Sequence, residues 1–337
     1  MTTDTSEQGL ERLICIALAG DPCDPPKADS LQDVRGSYGG VGWRAGSWLD
    51  YDRDHCVDLV QLTAFLRDTQ PKVADSVGLS DDGPIRRKFL ARLQGEISKR
   101  GTIDVLRHGV SHGPQDLKLF YGSPSQGNET ARERFDQNRF TVTRQLHYSR
   151  DETQRALDIA LFINGLPVFT FELKNSLTKQ TAADAVRQYR KDRNPRERLF
   201  EFGRCVAHFA VDENEARFCT HLSGGDSWFL PFNRGWNDGA GNPLNPNGIK
   251  TDYLWREVLA RESVTNILEN YAQIVHVRDE KTGRKKKMQI WPRYHQLDVV
   301  RRLSWRMQAS TAWVGAIWSS TRPAAARATP SPGLHTN

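Results

Sequence analysis

The sequence predicts an α/β or α+β protein built around a mixed sheet, and three observations support this fold class. Helical segments stand before and after a run of segments with strand composition. Asn164-Gly165, the strongest short hairpin signal, lies between two of those strands. The 337 residues are 38% hydrophobic, which is enough for the core of one large domain or two ordinary ones.

Apolar spacing, capping residues and turn residues place the elements along the chain. Helices are predicted at 6–19, 57–68, 84–100, 180–192 and over most of 252–276. Strands are predicted at 102–108, 117–121, 139–148, 156–163, 167–173, 204–211 and 216–220. An Asn/Gly/Pro-rich loop is predicted at 231–249, and a charged linker follows the last helix.

Composition excludes several classes of protein. The net charge is +6 with a pI of about 9.1, which permits a nucleic-acid partner without establishing one. Mean hydropathy is −0.62, and the N-terminus lacks the basic, apolar pattern of an export signal. Five scattered cysteines form no CxxC pair, so we expect no disulfide framework and a reducing cytoplasm; they are Cys15, Cys23, Cys56, Cys205 and Cys219.

Three charged residues interrupt an otherwise apolar hairpin: Asp158 in the first strand, and Glu172 and Lys174 in the second. Glu172 and Lys174 are two residues apart, so they share a strand face. A two-residue turn would place Asp158 opposite Phe171. A turn that includes Leu166, or a bulge with the same effect, would place it opposite Glu172, and we predict one of these two arrangements.

Two carboxylates and an ammonium group at one point suit Mg²⁺ or Mn²⁺. Such a cation polarises a phosphodiester and activates a water, and Lys174 would position that water or neutralise developing charge. The alternative from spacing alone is a solvated salt bridge, which is the commoner fate of such a trio. The histidines His108, His147 and His208 have no ligand spacing and are interpreted as structural.

Longer stretches of the sequence resemble the N-terminal part of the restriction (R) subunit of type I restriction–modification systems, and the hairpin resembles the PD-(D/E)xK nuclease core. The resembling stretches are KRGTIDVLRHGV (99–110), NRFTVTRQLHYS (138–149), LDIALFINGLPVFTFELKN (157–175), DAVRQYRKDRNPRE (184–197), the loop at 230–248 and IWPRYHQLDVV (290–300). The resemblance implies a restriction-endonuclease-like mixed central sheet flanked by helices.

The resemblance also implies roles for individual residues. Asp158 and Glu172 match the metal-binding acids, and Lys174 matches the catalytic lysine. Glu11 matches an acid that many such nucleases contribute from an N-terminal helix, and an ordinary exposed glutamate is its alternative. On the helix after the core, the polar residues expected to approach the site or DNA are Gln188, Tyr189, Arg187 and Arg190, with helix packing or a solvated face as the alternative.

The organisation implied by this family has five parts. They are an N-terminal helical and loop region (1–84), the nuclease core (85–276), a charged linker (277–289), the first helix of an ATP-dependent motor (290–303) and a final tail (304–337). Gln296 matches the family's adenine-reading residue. The expected cofactors are Mg²⁺ and, in full-length members, ATP; the expected partners are double-stranded DNA and the modification and specificity subunits, with no membrane.

The tail at 304–337 does not continue the family pattern. It has no Asp, Glu or Lys, and the chain has no GxxxxGK[ST] phosphate loop. One allowed shifted reading frame from Ser319 onward encodes Gly-Ser-Gly-Lys-Ser, so we expect a one-base frameshift near Leu303–Ser304, with a divergent tail as the alternative. The leading functional prediction is a Mg²⁺-dependent endonuclease domain; its alternatives are a non-catalytic binding remnant and a free-standing nuclease.

Overall fold

The main feature of the computed structural model is a seven-stranded mixed sheet. The structure describes residues 7–24, 38–152, 154–278 and 283–303. The strands in chain order are β1 (Arg44–Ala45), β2 (Tyr51–Asp52), β3 (Val57–Asp58), β4 (Val110–His112), β5 (Gln115–Leu117), β6 (Phe140–His147), β7 (Ala156–Ile163), β8 (Leu166–Leu173), β9 (Ala207–Val211), β10 (Ala216–Cys219), β11 (Leu230–Pro231), β12 (Gln273–Arg278) and β13 (Lys285–Ile290).

The large sheet has the order β1-β6-β7-β8-β9-β10-β11. The β1–β6 and β8–β9 pairs are parallel, and the other neighbours are antiparallel. Separate two-stranded pairs are formed by β2 with β3, β4 with β5 and β12 with β13. The sheet is therefore mixed, as the sequence predicts.

Helices stand before and after the strands at the centre of this sheet. They are α1 (Glu7–Ala19), α2 (Leu59–Thr69), α3 (Pro71–Ser76), α4 (Pro84–Arg100), α5 (Thr102–His108), α6 (Glu129–Asp136), α7 (Ala182–Lys191) and α8 (Arg261–Asn270). Every residue of β8 is buried, which is the pattern of a strand covered on both faces. Among the helices that the structure describes, none combines the length and the apolar character needed to span a bilayer.

The strand predicted at 102–108 is wrong, because these residues form α5. Gly101 and Gly109 flank it with φ of 85° and 73°, and such left-handed glycines commonly delimit helices. Asp104 in the first turn and Arg107 and His108 in the last turn complement the helix dipole. The β-branched residues of this segment suggested a strand, but the caps decide its structure.

Two further predictions are corrected at their boundaries. The strand predicted at 117–121 ends at Leu117, where β5 ends. The charged linker predicted at 277–289 is largely a hairpin, because β12 pairs with β13 from Gln273–Ile290 to Arg278–Lys285. The helix expected over 252–276 is broken into a π-helical turn, α8 and the start of that hairpin.

The chain divides into two compact units, Met1–Pro292 and Arg293–Asn337. The first unit shows no break at the predicted boundaries after residues 84 and 276, and β1, from the N-terminal region, belongs to the central sheet. In the second unit, residues 294–303 are helical, and their assignment to a motor domain stays a prediction. The predicted frameshifted tail at 304–337 lies outside the described residues.

Candidate active site in the central hairpin

A two-residue turn joins β7 to β8. Asn164 and Gly165 have φ of 51° and 81°, the left-handed values that an Asn-Gly hairpin turn requires. Ile163 pairs with Leu166, so the predicted turn that includes Leu166 is wrong. The Asn164 side chain is buried and accepts a hydrogen bond from the Arg139 amide at 2.6 Å, which fixes the turn.

A bulge then restores the predicted alignment of the acids. The register shifts between Leu161 and Phe162: Phe162 pairs with Pro167, whereas Leu161 pairs with Phe169. The extra residue on β8 is Val168. Beyond the bulge, Ile159 pairs with Phe171, and one further step in the same register places Asp158 opposite Glu172. The predicted bulge is confirmed.

Glu172 lies in the most enclosed part of this site. Its side chain is 0% exposed, and its Oε1 accepts a hydrogen bond from Arg193 Nε at 2.6 Å. Its Oε2 is buried and has no hydrogen-bond partner among the described residues. The pKa of Glu172 is raised to about 8, mainly by burial and also by the Asp158 charge, whereas Arg193 and Lys174 oppose the rise.

Asp158 and Lys174 stand beside Glu172. Asp158 Oδ2 accepts a hydrogen bond from the Leu173 amide at 2.7 Å, so the backbone of β8 orients this carboxylate. Lys174 is 9% exposed, and its amide donates to the Val211 carbonyl at 2.9 Å, which extends the β8–β9 ladder. The structure thus brings the three residues of the predicted trio together.

Glu11 reaches the same region from α1. It is 2% exposed, so the alternative of an ordinary exposed glutamate is wrong. Its two carboxylate oxygens accept hydrogen bonds from Arg144 Nε at 2.8 Å and Gln145 Nε2 at 2.9 Å. Burial raises the pKa of Glu11 to about 7, and the negative charge of Asp158 contributes to the rise. Glu11 is therefore close enough to affect the pair electrostatically, although both of its oxygens are engaged.

The donor set fits a hard divalent cation held by two carboxylates. In the part of the chain that the structure describes, no group of three or more His, Cys, Asp or Glu side chains could hold a metal ion. Mg²⁺, however, is commonly bound by one or two carboxylates and keeps several waters. The buried Oε2 of Glu172 has no hydrogen-bond partner within the described ranges, and an unsatisfied buried carboxylate oxygen is costly unless a cation or water binds it.

Helix α7 carries the predicted DNA-contacting residues, which differ in their burial and in their hydrogen-bond partners. Tyr189 is 0% exposed and its hydroxyl lies 2.8 Å from Thr170 Oγ1, so its position in the core is at odds with direct DNA contact. Arg187 is exposed and pairs with Asp184. Arg190 donates to the Ser227 carbonyl. Gln188 is half-buried on the same helix.

Two residues of the site are not found by sequence reasoning. Arg193 follows α7 in a basic, polar stretch, but its side chain is only 7% exposed and it bonds Glu172. Gln145 has a φ of 48° inside β6, at the position between the Arg144–Ile159 and Leu146–Leu157 pairs. A left-handed non-glycine residue within a strand is uncommon and costs energy. No pattern of residue types signals either feature.

The three histidines and Gln296 have structural contacts. His208 is buried, with Nδ1 2.7 Å from Thr170 Oγ1. His108 lies at the end of α5 beside Asp104, and His147 ends β6. Gln296 Oε1 accepts a hydrogen bond from the Arg293 amide at 3.0 Å, which is the capping interaction expected three residues into the helix at 294–303.

Comparison with known proteins adds one match. The family model described as the N terminus of the type I restriction enzyme R protein matches residues 99–227. This range contains the hairpin, its acids, Lys174 and α7. No curated protein matches the chain.

Proposed function

We propose that the chain is a metal-dependent DNA endonuclease domain, on the premise that its residues 99–227 match the N terminus of the type I restriction enzyme R protein. The domain would hydrolyse phosphodiester bonds of double-stranded DNA. Its fold would be of the PD-(D/E)xK type, with Asp158 and Glu172 as metal ligands and Lys174 as the catalytic lysine.

One observation carries this proposal: the bulge in β8 aligns Asp158 with Glu172 in a strand pair that is otherwise apolar. Charges in such strands are costly unless they pair or hold a metal. Arg193 satisfies one oxygen of Glu172 and leaves the other without a hydrogen bond among the described residues. A strand pair selected only for stability would not need this arrangement.

Each residue of the site would have its own role in metal binding or catalysis. Asp158 and Glu172 would hold Mg²⁺ or Mn²⁺, which when bound polarises the scissile phosphate. Lys174, whose ammonium is largely screened from bulk water, would orient the attacking water or stabilise charge on the phosphate. Arg193 lowers the pKa of Glu172 by direct contact and so favours its ionised form, although burial raises that pKa overall. Glu11 and Arg144 form a buried pair that fixes α1 beside the site.

The other proposed contacts concern DNA and partner chains. Gln188, Arg187 and Arg190 on α7 would approach the DNA backbone near the acids. Modification and specificity subunits would assemble with the R subunit in the cytoplasm. In a full-length subunit, the motor would use ATP, and Gln296 would contact adenine in addition to capping its helix.

A cleavage assay tests the proposal. Supercoiled plasmid is incubated with the chain and Mg²⁺, and nicked and linear products are measured for wild type, Asp158→Ala and Glu172→Gln. We expect both variants to lose activity by a factor of roughly 10² or more, since each removes a ligand of the metal. Asp81→Ala, which changes an exposed acid on another surface, is the matched control and should cut like wild type.

A binding role without hydrolysis is the second candidate. It is favoured by the ion pair with Arg193, which already occupies one oxygen of Glu172, and by the lack of a third acidic ligand in the described chain. Equal background cutting by wild type and Asp158→Ala would favour this candidate and reject the endonuclease. Mn²⁺ binding measured by electron paramagnetic resonance gives a readout that does not depend on activity.

A further inference from the structure

The two strands of the β12–β13 hairpin carry a concentration of positive charge. In β13, Lys285, Lys286 and Lys287 are all exposed. In the antiparallel register, Lys285 stands directly opposite Arg278, and Lys287 stands opposite His276. Like charges directly opposite each other destabilise a strand pair. The described strands, Gln273–Arg278 and Lys285–Ile290, contain no acidic residue, whereas Asp279 and Glu280 follow Arg278 in the sequence.

One face of this hairpin borders a cavity of about 350 Å³ between β12 and the α4–α5 corner. Its wall contains Lys99, Arg107 and Lys287, and none of these cations forms an ion pair with an acid of the described chain. The wall also contains Arg100 and Asp104, but these two bind each other. The wall therefore presents a net positive charge.

Two of these cations are held in place by backbone carbonyls. Arg107 donates to the carbonyls of Leu268 and Ala272, and Lys287 Nζ donates to the carbonyl of Lys99 at 2.8 Å. A carbonyl partner positions a cation but does not neutralise its charge. Lys287 also retains ammonium donors, since an ammonium group has three.

The hairpin itself is anchored to the central sheet. Gln289 lies two residues beyond Lys287 on the same strand face, and its Nε2 donates to the carbonyls of Cys205 at 2.7 Å and Val206 at 2.8 Å. The Val206 amide in turn bonds the Val168 carbonyl. The anchor is therefore at the opposite end of β8 from Glu172, about 13 Å along the strand.

We propose that this basic surface, defined as Lys99, Arg107, Arg278, Lys285 and Lys287, binds phosphate groups of a DNA backbone. The cations extend beyond the cavity, since the Arg278–Lys285 pair lies two residues, about 7 Å, further along the strands. A single small anion does not bridge that span, whereas a backbone with repeated phosphates does. The cavity wall has no Phe, Tyr or Trp for base stacking, so the contact is to the backbone and is independent of sequence.

This inference rests on the proposed function for its choice of DNA, and it adds a second contact remote from the acids. The test measures fluorescence anisotropy of a labelled random-sequence duplex several helical turns long, in EDTA, so that no cleavage occurs. The Lys285→Gln/Lys287→Gln protein is compared with wild type. Both changes are at exposed positions, and they relieve like-charge pairs, so the melting temperature should be at or above that of wild type.

We expect the double variant to bind the duplex roughly tenfold more weakly at low salt, and its slope of log affinity against log salt concentration to fall by about 1.8, near 0.9 for each lost phosphate contact. Lys72→Gln/Lys88→Gln removes the same charge from exposed helix positions elsewhere and should retain the wild-type slope. An unchanged slope in the hairpin variant would overturn the proposal. So would an equal loss in both variants, because that would be an effect of net charge alone.

The two assays can reject the endonuclease proposal and the basic-surface proposal independently of each other. Loss of binding in the hairpin variant, with no Asp158-dependent cutting by wild type, would keep the basic surface and reject the endonuclease. Asp158-dependent cutting with unchanged duplex binding in the hairpin variant would do the reverse. Binding to an acidic partner protein that depends on the two lysines, without any effect on duplex binding, would overturn DNA as the ligand.

Discussion

Arg193 donates from Nε to Glu172 Oε1 at 2.6 Å, and the two side chains are 7% and 0% exposed. The same guanidinium also donates to the carbonyl of Ala156 at 2.8 Å, at the start of β7. Arg193 thus links the strand that carries Asp158 to the strand that carries Glu172. The positive charge of Arg193 lowers the pKa of Glu172, whereas burial raises it.

Removal of Arg193 should therefore be costly. Arg193→Met leaves Glu172 buried without its partner, and above about pH 8, where this carboxyl is ionised, we expect the free energy of unfolding to fall by about 3–5 kcal/mol. Urea denaturation followed by tryptophan fluorescence measures the loss. Adding Glu172→Gln to the same protein removes the unpaired charge and should recover part of the stability. A loss below about 1 kcal/mol in the single variant would show that the pair does not stabilise the fold.

His208 should make the protein acid-sensitive. Burial lowers its pKa to about 3 from the ordinary 6.5, so the unfolded chain binds the proton more readily than the folded one. Stability is then highest above the unfolded pKa and is lost as pH falls toward the folded pKa. From about pH 7 to pH 5, we expect this histidine alone to cost about 2 kcal/mol.

The measurement is urea denaturation at both pH values for wild type and His208→Gln. The variant cannot take up this proton, so its stability should fall less on acidification. Burial also raises the pKa values of Glu11 and Glu172, which changes the pH dependence of stability, but this effect is common to both proteins and cancels in the difference. Equal losses in wild type and variant would contradict the prediction.

The turn glycine should tolerate no side chain. A Cβ at Gly165 would lie 2.4 Å from the carbonyl oxygen of Asp58, and its φ is 81°. Gly165→Ala should lower the free energy of unfolding by more than about 1 kcal/mol. Gly95→Ala is the matched control, since a Cβ there meets nothing within 4 Å, and in the middle of α4 it should stabilise by up to about 1 kcal/mol. Thermal melting distinguishes the two; destabilisation of equal size in both would contradict this account.

The central hairpin could be predicted from the sequence because its signals are local. Asn164-Gly165 specifies a turn by backbone conformation, and uninterrupted apolar strands specify burial. The alignment of Asp158 with Glu172 could also be predicted, because two acids in apolar strands favour the register that brings them together. The position of the bulge at Val168 could not be predicted, since it depends on packing across several strands.

Other features depend on contacts between distant parts of the chain. Arg193 has the sequence context of an exposed helix end, and only the fold places it on Glu172, 21 residues earlier. Segment 102–108 has strand composition, but the flanking glycines and the dipole-compatible charges make it a helix. The lysine-rich segment has the composition of a linker, yet it forms a hairpin strand that Gln289 anchors to the residues just before β9.

Substitutions at the neighbouring residues Gln188 and Tyr189 should have different effects, one on DNA binding and the other on stability. Tyr189→Phe removes a buried hydroxyl that bonds Thr170 and should cost about 1 kcal/mol of unfolding free energy, with duplex affinity unchanged. Gln188→Ala, at a half-buried position, should change stability by less than about 0.5 kcal/mol and weaken binding or cleavage. Urea denaturation and duplex anisotropy on both variants test this. Loss of duplex affinity in a folded Tyr189→Phe protein would restore the tyrosine as a DNA contact, and unchanged binding and cleavage in Gln188→Ala would remove the glutamine from that surface.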